Sequence, residues 1–197
     1  MAITFRPTTT VTDEEIEALS RANPLHRFER TAQGELVVTP PTGTDAGERE
    51  GELFFQLARW NKQHKLGRAY PATTGFNLPN TALRAPDASW ISNERYDALS
   101  PAQHAGFAHV CPDAAFELLS PSDDPADIRG KMPEYIDSGC RLAVYIDPRR
   151  RLVDVYRPNC ETETFPDPAT LTFEAELPGF TLDLAPIFES AKNVRSE

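Results

Sequence analysis

The sequence lacks a long apolar stretch and a recognisable export signal. Its longest apolar runs, such as residues 142–146, are far shorter than the roughly 20 residues that a membrane-spanning helix needs. The opening residues, MAITFRPTTTVTDEE, contain no basic segment followed by an apolar one, which argues against secretion. We therefore expect a cytoplasmic protein that has no membrane partner.

Cysteine is scarce and shows no metal-binding pattern. The three cysteines, Cys111, Cys140 and Cys160, are widely spaced and form no CxxC pair and no cluster with histidine. This pattern makes a structural zinc site or a disulfide framework unexpected. The four histidines show no ligand spacing beyond His104 and His109, which fall in a polar loop, and we interpret them as incidental.

Positive charge is also in short supply. The chain carries 20 basic and 30 acidic residues, a net charge of −10, and its only dense basic run is residues 149–151. Proteins that depend on non-specific phosphate contacts usually present a basic face, so a stand-alone nucleic-acid-binding module is disfavoured. A metal-dependent nuclease is less affected, because a bound cation offsets its metal-binding carboxylates.

Length and patterning predict one α+β domain. The 197 residues, 40% hydrophobic, show no internal repeat and no dividing linker. We expect a core over about residues 27–158, with additions at 1–26 and 159–197. The predicted helices are 13–23, 45–66, 126–138 and 187–191, with Pro133 kinking or dividing the third. The predicted strands are 27–31, 35–39, 68–78, 83–92, 114–119, 142–147, 152–156, 171–176 and 180–184.

Two carboxylates stand in apolar strand contexts. Glu117 follows Phe116 and precedes Leu118, and a glutamate there is costly unless it is paired, hydrogen-bonded or bound to a metal. Asp87 follows Pro86, which interrupts a strand ladder and can re-aim a side chain beside a site. The alternatives are an edge strand that leaves Glu117 solvated and a simple Pro-Asp turn.

On neighbouring strands, these two acids would form an oxygen-rich pocket. Such a pocket suits Mg²⁺ or Mn²⁺ rather than zinc, since Mg²⁺ is commonly held by one or two carboxylates together with waters and substrate phosphate. We therefore predict a metal site at Asp87 and Glu117.

The ordered motifs resemble a known family. They are Pro86-Asp87, then ELLSPSDD from residue 117, KMPEYIDSGC from residue 131, and LAVYIDP from residue 142. Over residues 28–184 this order is similar to the Uma-two family of predicted endonucleases. The resemblance implies a restriction-endonuclease-like PD-(D/E)XK fold, a mixed β-sheet flanked by helices, with an added N-terminal hairpin and a C-terminal β extension.

The resemblance also implies roles for individual residues. Asp87 and Glu117 would be the two metal-binding acids, but Leu119 occupies the place of the motif lysine. The family pattern suggests that Lys131, on the next helix, takes over that role; a solvated lysine on an exposed helix is the alternative. Such sites often add an acid from the first core helix, and we favour Glu52 over Glu48 and Glu50, although a solvated charged face would also explain these glutamates.

The implied function is metal-dependent hydrolysis of nucleic-acid phosphodiester bonds, with DNA as the expected substrate. One alternative is a catalytically degenerate nuclease fold that acts as a binding or assembly module. A weaker one is an enzyme for another phosphoester. We also predict a homodimer, because such folds commonly pair and because Phe173, Phe180 and Phe188 could cover an exposed surface.

Overall fold

The structure, a computed structural model, describes residues 2–189 and forms helices and strands in an α+β arrangement. The helices are α1 (Asp13–Ala22), α2 (Thr44–His64), α3 (Asn93–Asp97), α4 (Pro101–Ala105), α5 (Pro125–Asp137) and α6 (Ala185–Glu189). The strands are β1 (Ile3–Phe5), β2 (Arg27–Arg30), β3 (Leu36–Thr39), β4 (Gly67–Pro71), β5 (Phe76–Asn77), β6 (Leu83–Arg84), β7 (Ala88–Ser92), β8 (Ala114–Leu118), β9 (Leu142–Asp147), β10 (Leu152–Tyr156), β11 (Glu163–Pro166), β12 (Thr170–Thr172) and β13 (Thr181–Asp183).

The central sheet has six strands in the order β11-β10-β9-β8-β7-β4. Strands β8 and β9 are parallel and are connected through α5, whereas the other neighbours are antiparallel. Because β8 lies between β7 and β9, both its edges are hydrogen-bonded. The edge-strand alternative for Glu117 is therefore wrong.

Alternation along β8 divides the core between the two faces of this sheet. Phe116 and Leu118 face one cluster, which includes Leu53, Leu57 and Trp60 of α2, as their helical spacing predicted. Ala115 and the following Leu119 face a second cluster, beneath α5. Glu117 shares that second face, so its carboxylate lies on the α5 side of the sheet.

A second sheet has five strands in the order β1-β3-β2-β6-β5. The predicted hairpin of residues 27–39 forms its centre, with Phe28 opposite Val38. The predicted strands 68–78 and 83–92 are each divided between the two sheets. Residues 76–77 and 83–84 pair with each other in the second sheet, while β4 and β7 pair in the central one. Pro86 and Asp87 lie where the chain crosses from one sheet to the other.

Local signals at the helix ends act as expected. The Thr12 side chain accepts a hydrogen bond from the Glu15 backbone N–H, and the Glu15 carboxylate accepts one from the Thr12 N–H, which caps α1. Pro133 lies within α5 and does not divide it, so of the two predicted effects, a kink or a division into shorter helices, the division is wrong. Gly139 follows the helix with a φ of +96°.

The C-terminal extension packs on the chain's own core. Phe173, Phe180 and Phe188 are each buried against the α2 side of the central sheet. These three side chains are therefore not exposed to a second copy, and the predicted homodimer loses this support. The last predicted helix continues to residue 191, but residues 190 and 191 lie outside the described range. Across residues 2–189, no helix combines the length and the apolar character that crossing a bilayer requires.

Candidate active site

A cavity of about 510 Å³ lies between the second sheet and the α5 side of the central sheet. Its inner wall contains Asp87 and Glu117, and its roof contains residues of β2 and β3. The loop after β8 and the first turns of α5 complete the rim. The cavity is therefore formed by segments distant in sequence, and it encloses both predicted metal-binding acids.

Asp87 is fixed by its position one residue before β7. In the antiparallel pair of β7 and β8, Ala88 lies opposite Phe116, so extending the register by one residue brings Asp87 alongside Glu117. The Leu118 backbone N–H donates to Asp87 Oδ2 at 2.8 Å. Residues directly opposite in an antiparallel pair share a face of the sheet. The sheet therefore places the two carboxylates on the same side, only 5% and 1% exposed.

Lys131 reaches the same point from α5. Its Nζ lies 3.4 Å from Glu117 Oε1 and 3.2 Å from both carboxylate oxygens of Glu29. Burial lowers the pKa of Lys131, but the two carboxylates outweigh it, so the pKa is raised and the ammonium stays charged. The solvated-lysine alternative does not describe this side chain.

Tyr135 stands one helical turn after Lys131 and faces the same way. Its hydroxyl donates a 2.7 Å hydrogen bond to Glu117 Oε1. Lys131 and Tyr135 therefore both act on Oε1, and among residues 2–189 no hydrogen bond reaches Glu117 Oε2. The free oxygen leaves Glu117 able to bind a ligand from the cavity.

Glu29 was not predicted as part of the site. It lies on β2, is 2% exposed, and also accepts a hydrogen bond from the Ala85 backbone N–H. Burial raises its pKa, but the positive charges of Lys131, Arg27 and Arg84 outweigh this and lower it to about 2. The available signal was the alternation in RFER, which places Arg27 and Glu29 on the face opposite Phe28.

Arg27 was also missed, and it contacts a predicted metal ligand. Its Nη1 donates to Asp87 Oδ1 at 2.9 Å, so the guanidinium ties the second sheet to the central one. Nearby Arg84 donates instead to Glu134 on α5. In the described structure, the guanidinium of Arg27 therefore occupies the side of Asp87 that faces the cavity.

The acid that α2 contributes is Glu50, not Glu52. Glu50 lines the cavity, whereas Glu52 accepts a hydrogen bond from Gln56 and lines a separate surface depression. The physical reason is helical spacing, since Glu50 lies three residues before Leu53 and borders the buried stripe of α2 on the cavity side. Glu52, the residue before Leu53, is rotated about 100° from Leu53 around the helix. Choosing Glu52 because it is next to Leu53 in the sequence was therefore wrong.

The carboxylates in the cavity perturb one another. Burial raises the pKa of Glu117 to about 7; Lys131 opposes this, and Asp87 and Glu29 reinforce it. Burial likewise raises the pKa of Glu50 to about 7, with a further contribution from Asp87. Glu29, Glu50, Asp87 and Glu117 share the cavity with Arg27, Lys131 and Arg84, and Arg84 is itself paired with Glu134, so negative charge exceeds positive charge if all of these groups are ionised.

This charge imbalance and the donor set fit a divalent cation bound through few protein ligands. In the described part of the chain, no three side chains of His, Cys, Asp or Glu are arranged to hold one metal ion together. Asp87 and Glu117 can supply two carboxylates, and Mg²⁺ characteristically completes its shell with water and substrate oxygens. The residues present therefore fit Mg²⁺ or Mn²⁺ and do not fit a closed structural zinc site.

Comparison with known proteins agrees with this architecture. The sequence pattern of the Uma2 family, described as "Putative restriction endonuclease", matches residues 13–185. The chain belongs to the Uma2 family. The match covers every residue of the site described above and all strands of the two sheets except β1. No protein of curated function matches the chain in sequence.

One solved structure shows the same fold. A crystal structure from Anabaena variabilis ATCC 29413, described as a "putative nuclease belonging to DUF820", superposes with a TM-score of 0.71 at 20% identity, covering 83% of this chain and 90% of that one. The cryo-electron-microscopy structure of a DrdV–DNA complex matches 62% of this chain and 12% of that one, with a TM-score of 0.36 and 12% identity. The first comparison establishes the restriction-endonuclease-like α+β fold, and the second is too distant to support any inference.

Proposed function

We propose that this Uma2 chain is a metal-dependent nuclease that hydrolyses phosphodiester bonds of nucleic acid. The observation that carries the proposal is the convergence of Asp87, Glu117 and Lys131 in one cavity. Two carboxylates beside a buried ammonium are the chemical groups that metal-assisted phosphodiester hydrolysis needs. Membership of a family described as restriction endonucleases supports the same reaction class.

Asp87 and Glu117 would hold the metal, in this proposal Mg²⁺ or Mn²⁺. When bound, the metal would supply Lewis-acid polarisation of the phosphate and a lowered pKa for a coordinated water. Tyr135 fixes the orientation of Glu117 through Oε1, which leaves Oε2 directed to other partners. The Leu118 N–H similarly orients Asp87 through Oδ2. These contacts hold both carboxylates in place before any ligand arrives.

Lys131 would stabilise charge that develops on the phosphoryl oxygens. Its raised pKa keeps it protonated, so it serves as a fixed positive charge rather than as a base. Glu29 holds the ammonium through both oxygens and so positions it at the cavity wall. This arrangement supplies the function of the motif lysine that Leu119 replaces.

The test is cleavage of labelled single- and double-stranded DNA and of RNA by the purified chain, with Mg²⁺ or Mn²⁺ and with chelator. We expect metal-dependent cleavage that Asp87→Asn and Glu117→Gln each abolish. Glu52→Gln is the matched control, since it removes one acidic charge outside the cavity. A parent that cleaves none of these substrates with either metal would contradict the proposal.

A second candidate is a non-catalytic binding module, and one observation favours it. Arg27 pairs with Asp87, and an ion pair of this kind can serve only to join two sheets. A module of this type has no need of a divalent metal. Mn²⁺ binding therefore separates the two candidates, because the nuclease requires it at Asp87 and Glu117.

A further inference from the structure

Arg27 uses few of its hydrogen-bond donors. A guanidinium has five N–H groups, and within residues 2–189 that of Arg27 makes one hydrogen bond, from Nη1 to Asp87 Oδ1. Its Nε is buried and has no partner in the described structure. Leaving a buried donor unsatisfied is unfavourable, so this arrangement does not complete the side chain's bonding capacity.

Arg30, three residues along the same strand, shows what a structural arginine looks like in this fold. Its Nε and Nη2 both donate to the Thr81 carbonyl, and its Nη1 donates to the Val11 carbonyl. It also forms an ion pair with Asp13 at 2.8 Å. Arg30 is thus held by two backbone segments and a carboxylate, whereas Arg27 is held by one carboxylate oxygen.

The contact that Arg27 does make cannot persist unchanged beside a metal. Asp87 Oδ2 is occupied by the Leu118 N–H, so Oδ1 is the oxygen that faces both Arg27 and the cavity. A dication at that oxygen would repel the guanidinium strongly in a buried site. The Arg27 side chain lines the cavity, so it borders the space that a substrate would enter.

Several carboxylates line the cavity and could receive the displaced guanidinium. Both oxygens of Glu29 already contact Lys131, and Oε1 also accepts the Ala85 N–H. Glu50, Asp123, Asp124 and Asp127 remain as acceptors along the cavity wall and rim. A phosphate next to the metal would be a better partner, since a planar guanidinium can donate two parallel hydrogen bonds to two phosphate oxygens.

We propose that Arg27 is a catalytic phosphate-binding residue that occupies Asp87 in the metal-free protein and transfers to a substrate phosphate when a divalent cation binds. This inference rests on the proposed function and adds a substrate contact and a metal-linked switch to it. The same guanidinium thereby opposes metal binding and promotes phosphate binding. Its removal must then change the two affinities in opposite directions.

The experiment compares the full chain with Arg27→Gln in two titrations. We expect the variant to bind Mn²⁺ roughly tenfold more tightly, because a competing charge is gone. In Ca²⁺, which replaces the catalytic metal, we expect it to bind a short labelled DNA strand at least roughly tenfold more weakly. Arg27→Lys keeps the positive charge but lacks the planar guanidinium, so its affinities for Mn²⁺ and DNA should fall between those of the parent and Arg27→Gln. Arg21→Gln, at an exposed arginine that pairs with Glu17 on its own helix, is the charge-matched control and should change neither.

The outcomes distinguish this inference from the proposed function. An Arg27→Gln protein that binds Mn²⁺ no more tightly than the parent overturns the inference, although metal-dependent cleavage by the parent would stand. Tighter Mn²⁺ binding with unchanged DNA binding also overturns it and assigns the displaced guanidinium to a carboxylate of the cavity lining. If Arg27→Gln unfolds, the Mn²⁺ and DNA titrations are performed with Arg27→Lys instead, and the same two outcomes apply. A parent that neither binds nor cleaves nucleic acid removes the proposed function, and the phosphate contact with it.

Discussion

The Tyr135 hydroxyl and Glu117 Oε1 are joined by a 2.7 Å hydrogen bond in the interior of the protein. A hydrogen bond to a carboxylate favours its ionised form and lowers its pKa. Tyr135→Phe should therefore raise the pKa of Glu117 further above its present value of about 7. The shift should be about one pH unit, since a hydrogen bond to a charged group is worth about 1.5 kcal/mol.

The pH dependence of Mn²⁺ binding measures this shift, because the carboxylate must lose its proton to bind metal. The control is Tyr145→Phe, since the buried Tyr145 hydroxyl has no hydrogen-bond partner in the described structure. An unchanged binding midpoint in Tyr135→Phe would show that Glu117 is not a metal ligand or that it titrates elsewhere.

The stability of the metal-free protein should fall as pH rises from about 4.5 to about 7. Glu117 and Glu50 both have pKa values raised from 4.5 to about 7, so in this window the folded state binds more protons than the unfolded state. The free energy of unfolding then decreases with pH. Glu29, whose pKa is lowered to about 2, changes the stability with pH only below this window.

Thermal unfolding in the presence of chelator tests this dependence. Glu50→Gln cannot ionise and should flatten the fall, whereas Glu52→Gln should retain the slope of the parent. Added Mn²⁺ should restore stability at the upper end of the window. A melting temperature that is independent of pH across this range would contradict the proposed crowding of carboxylates.

Lys131→Ala should abolish metal-dependent cleavage but still bind Mn²⁺, with a binding midpoint at higher pH because loss of the ammonium raises the pKa of Glu117. The ammonium contacts Glu117 and Glu29 but supplies no metal ligand. Lys131→Arg should not restore full activity, because a planar guanidinium does not replace a compact ammonium at a tight site. Single-turnover cleavage and Mn²⁺ titration, performed on both variants, separate these effects. Cleavage by Lys131→Ala at the parent's rate would require another group in this role.

Leu57→Ala should lower the free energy of unfolding by about 2–5 kcal/mol, the usual cost of a cavity in a packed core. Leu57 is fully buried between α2 and the central sheet. Phe55→Ala, on the same helix but 55% exposed, is the control and should cost much less. Denaturant titrations give both values. A loss below about half a kilocalorie per mole for Leu57→Ala would show that the face of α2 that contains Leu57 does not pack against the sheet.

The sequence predicts those parts of the fold that local patterns determine. The capping box of α1, the hairpin of β2 and β3, and the buried stripe of α2 follow from residues close together in the chain. Strand β11 was missed because its polar residues at a sheet edge lack an apolar period. The second sheet was missed because two-residue strands join it through non-local pairing that no local pattern records.

The site could be predicted only on the central sheet. Glu117 and Asp87 stand out because their neighbours are apolar, and the spacing of Lys131 and Tyr135 places both on one face of α5. Arg27 and Glu29 stand among other charged residues in RFER, where a solvated hairpin is an equally good explanation. Only the packing of the second sheet over the cavity distinguishes these alternatives. Glu50 was recoverable from its spacing of three residues before Leu53.

The most direct test of the central claim is a crystal of the chain soaked in Mn²⁺ and measured at a wavelength where manganese scatters anomalously. The account predicts an anomalous peak between the carboxylates of Asp87 and Glu117, with Lys131 at the cavity wall and Arg27 displaced from Asp87 Oδ1. The same soak of Glu117→Gln should show no peak there. A parent crystal in which Mn²⁺ is absent from this cavity, or in which it binds elsewhere, would contradict the account.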